Sequence, residues 1–256
     1  MPRVTMAATL LVCLTLTAGC SGSSPGDATS AAALLGATGV EPAASSSPLT
    51  GLSALEVWEK TKADADTAKS VHVTAKFLDG KKKIALNLKM TDNAKVFGFL
   101  VLNGNRVKVR RLGRTLYFKA DYGFWASNAD AATGQTLADK WIMVKQGYSA
   151  DLDQLFRLTD MDSIVADTMS LSVSEQGKLK LAPGIKLGKR STVGLVDDST
   201  ESTQEVQTLY VWASDPALPL KFAMSADDSQ FMRFQGWNKT FAAITPPKAI
   251  DLAKAS

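Results

Sequence analysis

The sequence has little with which to do metal or thiol chemistry. Its 256 residues include two cysteines and one histidine. That set cannot complete a four-ligand zinc site and leaves little material for a thiol or imidazole catalyst. No Gly-x-Ser-x-Gly elbow is present to hold a serine nucleophile on a strained strand-to-helix turn. No Gly-rich phosphate loop follows a strand pattern, and no acidic run has the Asp, central Gly and terminal Glu of a calcium loop. Net charge is also small. The 29 basic and 25 acidic side chains give +4, spread too thinly to indicate nucleic acid. These absences turn the reading away from metalloenzymes, triad hydrolases and nucleic-acid binders. No enzyme activity and no cofactor are expected. What is present is an ordinary apolar content of 45%, enough for a sizeable core at this length.

The N-terminus reads as an address. Arg3 is followed by an uncharged apolar run through Leu10, Leu11, Val12, Leu14 and Leu16, closed by Thr17-Ala18-Gly19-Cys20. Such a run fits a secretory signal and is too short for a bilayer span, which takes roughly 20 apolar residues. The small-small-Cys ending resembles the bacterial lipobox, with Thr17 in place of the usual Leu. That resemblance implies acylation of Cys20 after removal of residues 1–19, and Cys13 then leaves with the signal. The mature chain has no second thiol for a disulfide. Loss of Arg3 leaves 28 basic side chains against 25, a formal +3. Two or three acyl chains anchor a protein stably, whereas one binds only marginally. The expected location is therefore the extracytoplasmic face of the cell membrane, held by lipid.

Residues 20–50 form the acylated cysteine and a tether almost wholly of Ser, Ala, Gly, Pro and Thr, which cannot bury enough surface to fold. Residues 51–256 show no second linker and no repeat, so a single domain, monomeric, is expected. Ser53-Ala54-Leu55-Glu56 is a capping box opening an amphipathic helix to about Ala68. Strand patterns follow over 71–77, 84–90, 96–102, 106–112 and 115–119, separated by the turn signals Asp79-Gly80, Asp92-Asn93, Asn103-Gly104 and Gly113-Arg114. Two helical patterns come next, one with Leu152, Leu155 and Phe156, the other with Ile164, Val165, Thr168 and Met169. Strands resume over 188–196, 205–212, 220–225 and 230–237. Without βαβ alternation, this order indicates an α+β fold with an antiparallel sheet.

The strand over 96–102 is apolar on both faces. Phe97, Phe99 and Val101 point one way, and Val96, Leu100 and Leu102 the other. A sheet with one wet face should alternate, so this strand is either covered on both sides or lines an apolar space. The next arm carries Arg106, Lys108 and Arg110 on one face, opposite Val107 and Val109. That face is a solvated surface or a contact for anionic headgroups.

The chain as a whole resembles the LprG/LppX-type lipoproteins of mycobacteria and related actinobacteria, a group that includes LppX, LprA, LprF and LprG. The residues carrying the resemblance include the lipobox cysteine and tether and the early helix leading to Ser70-Val71-His72-Val73. They continue through Arg111 to Lys119 before Phe124-Trp125, and through Ala138-Asp139-Lys140-Trp141. Leu218-Pro219-Leu220-Lys221, the run from Phe231 to Trp237 and Pro246-Pro247 complete the set. The resemblance covers most of residues 51–251. It implies a curved antiparallel half-barrel with helices packed in the concave face around an apolar cavity, similar also to LolA and LolB. It further implies a carrier of lipid or glycolipid acyl chains through the envelope, with a membrane transporter as a partner. Phe97, Phe99, Val101, Leu116 and Phe118 are the expected cavity-lining residues. The alternative is an interaction or scaffolding lipoprotein with a filled core, supporting a transporter or envelope complex.

His72 lies in a strand between two valines and reads as structural. The pairs Asp64/Asp66, Asp151/Asp153, Asp160/Asp162, Asp197/Asp198 and Asp227/Asp228 mostly fall at helix starts and turns, where aspartate caps backbone N–H groups.

Overall fold

The structure, a computed structural model, describes residues 47–171, 178–197 and 207–254. The signal run, Cys20 and the tether as far as residue 46 lie outside them. At the near end of the described residues the Ser47 hydroxyl donates to Ala213 O (3.1 Å), and Leu49 is buried in the core.

Helix α1 (Ala54–Asp66) starts where the capping box puts it. The Ser53 hydroxyl accepts from the Glu56 N–H (3.3 Å), and the Glu56 carboxylate accepts from the Ser53 N–H (2.7 Å). The Ser53 N–H and the Ser53 hydroxyl (2.8 Å), both donating to that carboxylate, hold the Glu56 carboxyl below its usual range. A meander follows: β1 (Ser70–Asp79), β2 (Lys82–Thr91), β3 (Lys95–Leu102), β4 (Asn105–Leu112) and β5 (Thr115–Ala120). Asn103 and Gly104 both have positive φ (50° and 89°), as a two-residue hairpin loop of this hand requires.

Helices α2 (Tyr122–Asn128) and α3 (Ala131–Leu137) occupy a stretch without a helical apolar period. Each is one short segment started by an aspartate: Asp121 accepts from the Phe124 N–H and Asp130 from the Thr133 N–H. Next come β6 (Ile142–Lys145), α4 (Ala150–Leu158) and α5 (Met161–Leu171). The remaining strands are β7 (Leu179–Ala182), β8 (Lys186–Leu187), β9 (Arg190–Asp197), β10 (Thr208–Trp212), β11 (Pro219–Ala223), β12 (Phe231–Gln235) and β13 (Ile250–Asp251).

The thirteen strands among the described residues join one sheet, ordered β13-β6-β5-β4-β3-β2-β1-β12-β11-β10-β9-β7 with β8 on β9. Every pairing is antiparallel except β13 on β6, which is parallel, so the sheet is mixed. The fold is α+β, as the sequence indicates. The expected half-barrel is corrected, because the path ends at β13 on one side and β7 on the other, and the sheet is neither closed nor strongly curled. The strands β7, β8 and β13 are additions that four residues or fewer could not announce by period.

Strand register separates two faces. On the inner face, Val73, Leu88, Gly98, Val109 and Phe118 form one rank, and Ala75, Leu86, Leu100 and Val107 form the next. The buried faces of α1, α2, α4 and α5 complete this core with Val57, Trp125, Phe156, Val165 and Met169. Gly98 is where the inner rank is tightest. It has φ +151°, and a Cβ there would stand 2.0 Å from the Asn87 carbonyl oxygen of β2.

Gly98→Ala is expected to lower unfolding free energy by about 2 kcal/mol or more, through the strained backbone and the clash with a neighbouring strand. Chemical denaturation monitored by far-UV circular dichroism checks this, and an unchanged midpoint would refute the close approach.

Candidate functional site

Two surfaces of the sheet hold the residues singled out by sequence, and the structure divides those residues between them. Leu116 and Phe118 face inward and are fully buried, with the Phe118 ring 5.5 Å from that of Trp125. Phe97, Phe99 and Val101 face outward and are half-buried, on the same side as Arg110, also half-buried, and the exposed Arg106 and Lys108. The five expected cavity-lining residues therefore do not share one space.

On the inner side, α4 and α5 lie over the sheet as a helical pair. Leu152, Phe156, Met161, Ile164, Val165 and Met169 are their buried apolar contacts. A buried cation fastens the corner between them, beside an exposed ion pair from Arg157 of α4 to Asp167 of α5 (3.1 Å). Arg111 is only 6% exposed. Its Nη1 donates to Phe156 O (2.9 Å), Thr159 O (3.0 Å) and Asp160 Oδ2 (3.1 Å), while Nε donates to Gly113 O (2.8 Å). The carbonyls at the end of α4 have no partner within the helix, and a cation there also suits the helix dipole. Asp160 uses its other oxygen to cap α5, accepting from the N–H and hydroxyl of Ser163 (3.0 Å each). Arg111 was legible as an exception: strand period places it with Val107 and Val109, away from the other basic residues of β4.

Polar ties from this pair to the rest of the fold include Trp58 Nε1 to Met169 O (3.4 Å) and Thr168 Oγ1 to Met232 Sδ (3.3 Å). One donor in the same layer is unused. The indole N–H of Trp125 is buried and has no hydrogen-bond partner.

The outer side explains the doubly apolar strand. After β12 the chain crosses the outer face as an extended strap, residues 236–249, before joining β6 through β13. Asn238 N–H donates to Ser70 O (2.9 Å), and the Ser70 hydroxyl donates to Lys239 O (2.6 Å). Phe241 meets Phe97 edge to face at 6.2 Å, with Lys89 Nζ 5.4 Å from the Phe97 ring. Arg110 donates to Thr245 O (3.0 Å) and lies 5.1 Å from the Trp141 ring. Arg106 lies over Phe99, its guanidinium carbon 3.7 Å from the ring centroid. Lys108 is exposed. Apolar rings are thus covered by cations and by the strap, each cation–π contact contributing about 0.5–1 kcal/mol at exposed sites.

Two open clefts border this face. One, of about 580 Å³, runs under the strap beside Phe97, Lys69, Lys95 and Phe241. The other, of about 410 Å³, lies at the opposite strand ends, between Lys76, Leu78, Lys83, Ala85 and Val101.

Several of the remaining sequence candidates have structural partners. His72 Nε2 pairs with Asn87 Oδ1 (2.9 Å) on the outer face. Asp64 accepts from the Ala217 N–H, and Lys60 bridges Asp64 and Asp215. Asp227 accepts from the Ser225 hydroxyl and the Ser229 N–H, and contacts to these two serines hold its carboxyl down to about 2. Asp198 lies outside the described residues. Among the described residues, no three His, Cys, Asp or Glu side chains gather as metal ligands, and no helix is long and apolar enough to cross a membrane.

No protein-family model matches the chain, and no curated protein matches it. Among solved structures it is similar to LprF from Mycobacterium bovis, at a TM-score of 0.44 and 12% identity over 76% of this chain and 96% of that one. It is also similar to an uncharacterized conserved protein from Thermus thermophilus, at 0.35 and 11% over 78% and 98%. A third likeness is to the Pseudomonas aeruginosa MucA/MucB complex structure, at 0.33 and 15% over 76% and 59%.

Arg111→Met is expected to cost about 3 kcal/mol, because it removes a buried charged donor from Thr159 O and Asp160, while Phe156 O keeps the Thr159 N–H and hydroxyl. Hydrogen exchange should quicken first in residues 150–171. Uniform loss of protection across the sheet would contradict a local fastening role. Phe241→Ala should leave the inner core intact and raise exchange in residues 239–249, and unchanged exchange there would show that the strap does not depend on the Phe97 contact.

Proposed function

We propose that this protein is a lipid-anchored, extracytoplasmic lipoprotein that binds lipid or glycolipid acyl chains between the inner face of the sheet and the helical pair α4–α5. The observation that carries the reading is the construction of that layer. A continuous apolar face is roofed by two short helices whose corner is fastened at one buried cation. Displacing the roof would open apolar surface on both sides, and each acyl CH₂ buried there is worth about 0.8 kcal/mol. The unpartnered Trp125 N–H supports the same reading. A buried donor without an acceptor costs about 1–3 kcal/mol, and an ester or amide carbonyl at the head of an acyl chain would satisfy it. Acylation at Cys20 and the 1–19 signal supply the anchor, and residues 20–46 supply the reach.

The cavity-lining role belongs on this reading to the inner residues, Leu116 and Phe118 among them, with Leu88, Leu100 and Phe156. Phe97, Phe99 and Val101 belong to the outer face. Arg106 and Lys108 are the cations of β4 left for headgroups, since Arg110 holds the strap.

A second reading, an interaction lipoprotein that supports a transporter or envelope complex, is favoured by one observation. The inner face is filled by its own side chains, with Val96, Leu100, Leu116 and Ile142 fully buried. The two readings separate in one experiment. The full chain with Cys20→Ser is exported from a lipid-containing host, analysed by native mass spectrometry and tested for transfer of labelled phospholipid between vesicles. The carrier gives a lipid adduct and transfer, and Arg111→Met speeds the transfer. A chain free of lipid and inactive in transfer leaves the interaction reading. Metabolic palmitate labelling is expected on the unaltered chain and absent from Cys20→Ser.

A further inference from the structure

The β1–β2 hairpin ends in a sequence with no structural use for its side chains. Leu78 is 51% exposed, the most exposed of the large apolar residues among those described. Lys81, Lys82 and Lys83 follow across the turn, all exposed, and Lys76 stands two residues before Leu78 on the same face of β1. None of these four lysines forms an ion pair or a cation–π contact among the described residues. The backbone here is well tied, with Leu78 N–H donating to Gln230 Oε1 (3.0 Å) and Lys83 N–H to Asn103 Oδ1 (3.1 Å). The 410 Å³ cleft opens beside Leu78 with Phe77, Ile84, Ala85 and Val101 in its wall and Lys76 and Lys83 on it. Arg106, opposite Val101, adds a fifth cation. The acids near this end are Asp79 in the turn and Asp227 and Asp228 in the β11–β12 turn. Asp228 is already engaged by Lys221 and Arg233.

We infer that this hairpin tip is a membrane-docking surface that seats Leu78 among the headgroups of an anionic phospholipid leaflet, with Lys76, Lys81, Lys82 and Lys83 around it. An apolar side chain at the centre of unpaired lysines is complementary to an interface that is anionic outside and apolar just beneath. The position of the tether permits it. Ser47 enters at the Ala213 end of the strands, opposite the tip. Residues 21–46 could span up to roughly 90 Å if extended, well beyond the roughly 33 Å length of a ten-residue strand. An anchor in the same leaflet therefore leaves either strand end able to meet it, and the exposed Leu78 beside the apolar cleft, with lysines around it, marks the tip. The outer-face cations Arg106 and Lys108 would then lie beside the leaflet. The inference needs a nearby membrane but no acyl chain inside the domain, so it stands or falls apart from lipid carriage.

The test uses the full chain with Cys13→Ser and Cys20→Ser, so that an environment-sensitive dye can be placed through Leu78→Cys or, as a control, through Glu59→Cys on the exposed side of α1. Vesicles of phosphatidylglycerol and phosphatidylcholine should blue-shift the dye at position 78 and leave that at position 59 unchanged. Vesicles of phosphatidylcholine alone should shift neither. Reversing Lys81, Lys82 and Lys83 to Glu should weaken partitioning about tenfold or more without altering circular dichroism. An absent shift at position 78 overturns the inference. So does an equal shift at both positions, which would report adsorption through the N-terminal apolar run. Binding that survives the three reversals overturns it as well.

Discussion

A buried guanidinium organises the helical side of this molecule. Arg111 sits in a strand whose other inward residues are valines, so its charge is surrounded by apolar side chains and cannot be left to water. It is tolerable there because the end of α4 and the start of α5 supply carbonyls and a carboxylate in the right place. The dependence is mutual. The helical pair has a defined corner because the cation needs those acceptors, and the cation stays buried because the corner folds over it. Breaking such an arrangement costs more than the pair is worth as a contact, since the remaining partner keeps its desolvation penalty. The placement of α4 and α5 over the sheet, and with it the shape of the inner layer, follows from this residue.

The outer face solves a different problem with weaker means. Its aromatic side chains are covered by cations from neighbouring strands and by a strap without secondary structure. Phe97, Phe99 and Val101 are paired in register with Arg110, Lys108 and Arg106, so rings and charges share one surface. The long stems of Lys and Arg can cover apolar surface while the charge stays in water. This gives the sheet two differently wetted sides. The inner one is sealed by packing, and the outer one is shielded by side chains that remain free to exchange partners.

Much of the fold was legible in the sequence. The capping box located α1, and period two with Asn103-Gly104 gave the five-strand meander, because these signals act within a few residues. The face assignment of β3 was correct for the same reason. Which face met the helices was not legible, because both Phe97 and Leu100 are equally apolar and only distant segments distinguish them. The strap that covers Phe97 lies more than a hundred residues away and has no period of its own. The helices α2 and α3 were hidden because their starts depend on single aspartates and their faces are small. Grouping Leu116 and Phe118 with the outward residues of β3 failed on parity across two hairpins, where register decides and composition is silent. Arg111, by contrast, could have been found from parity alone.

The strap has a bearing on the order in which the molecule becomes complete. It covers strands that precede it by more than a hundred residues and reaches the far edge of the sheet, where β13 pairs with β6. A chain emerging N-terminus first can therefore assemble the meander and its helical roof while the outer aromatic row is still bare. Until Phe241 and Ile250 arrive, that row is an adhesive surface, open to chaperones or to another copy. The segment thus marks completion: a product cut short before Phe241 would keep most of its inner core yet expose Phe97, which gives quality control something to recognise on an otherwise folded domain.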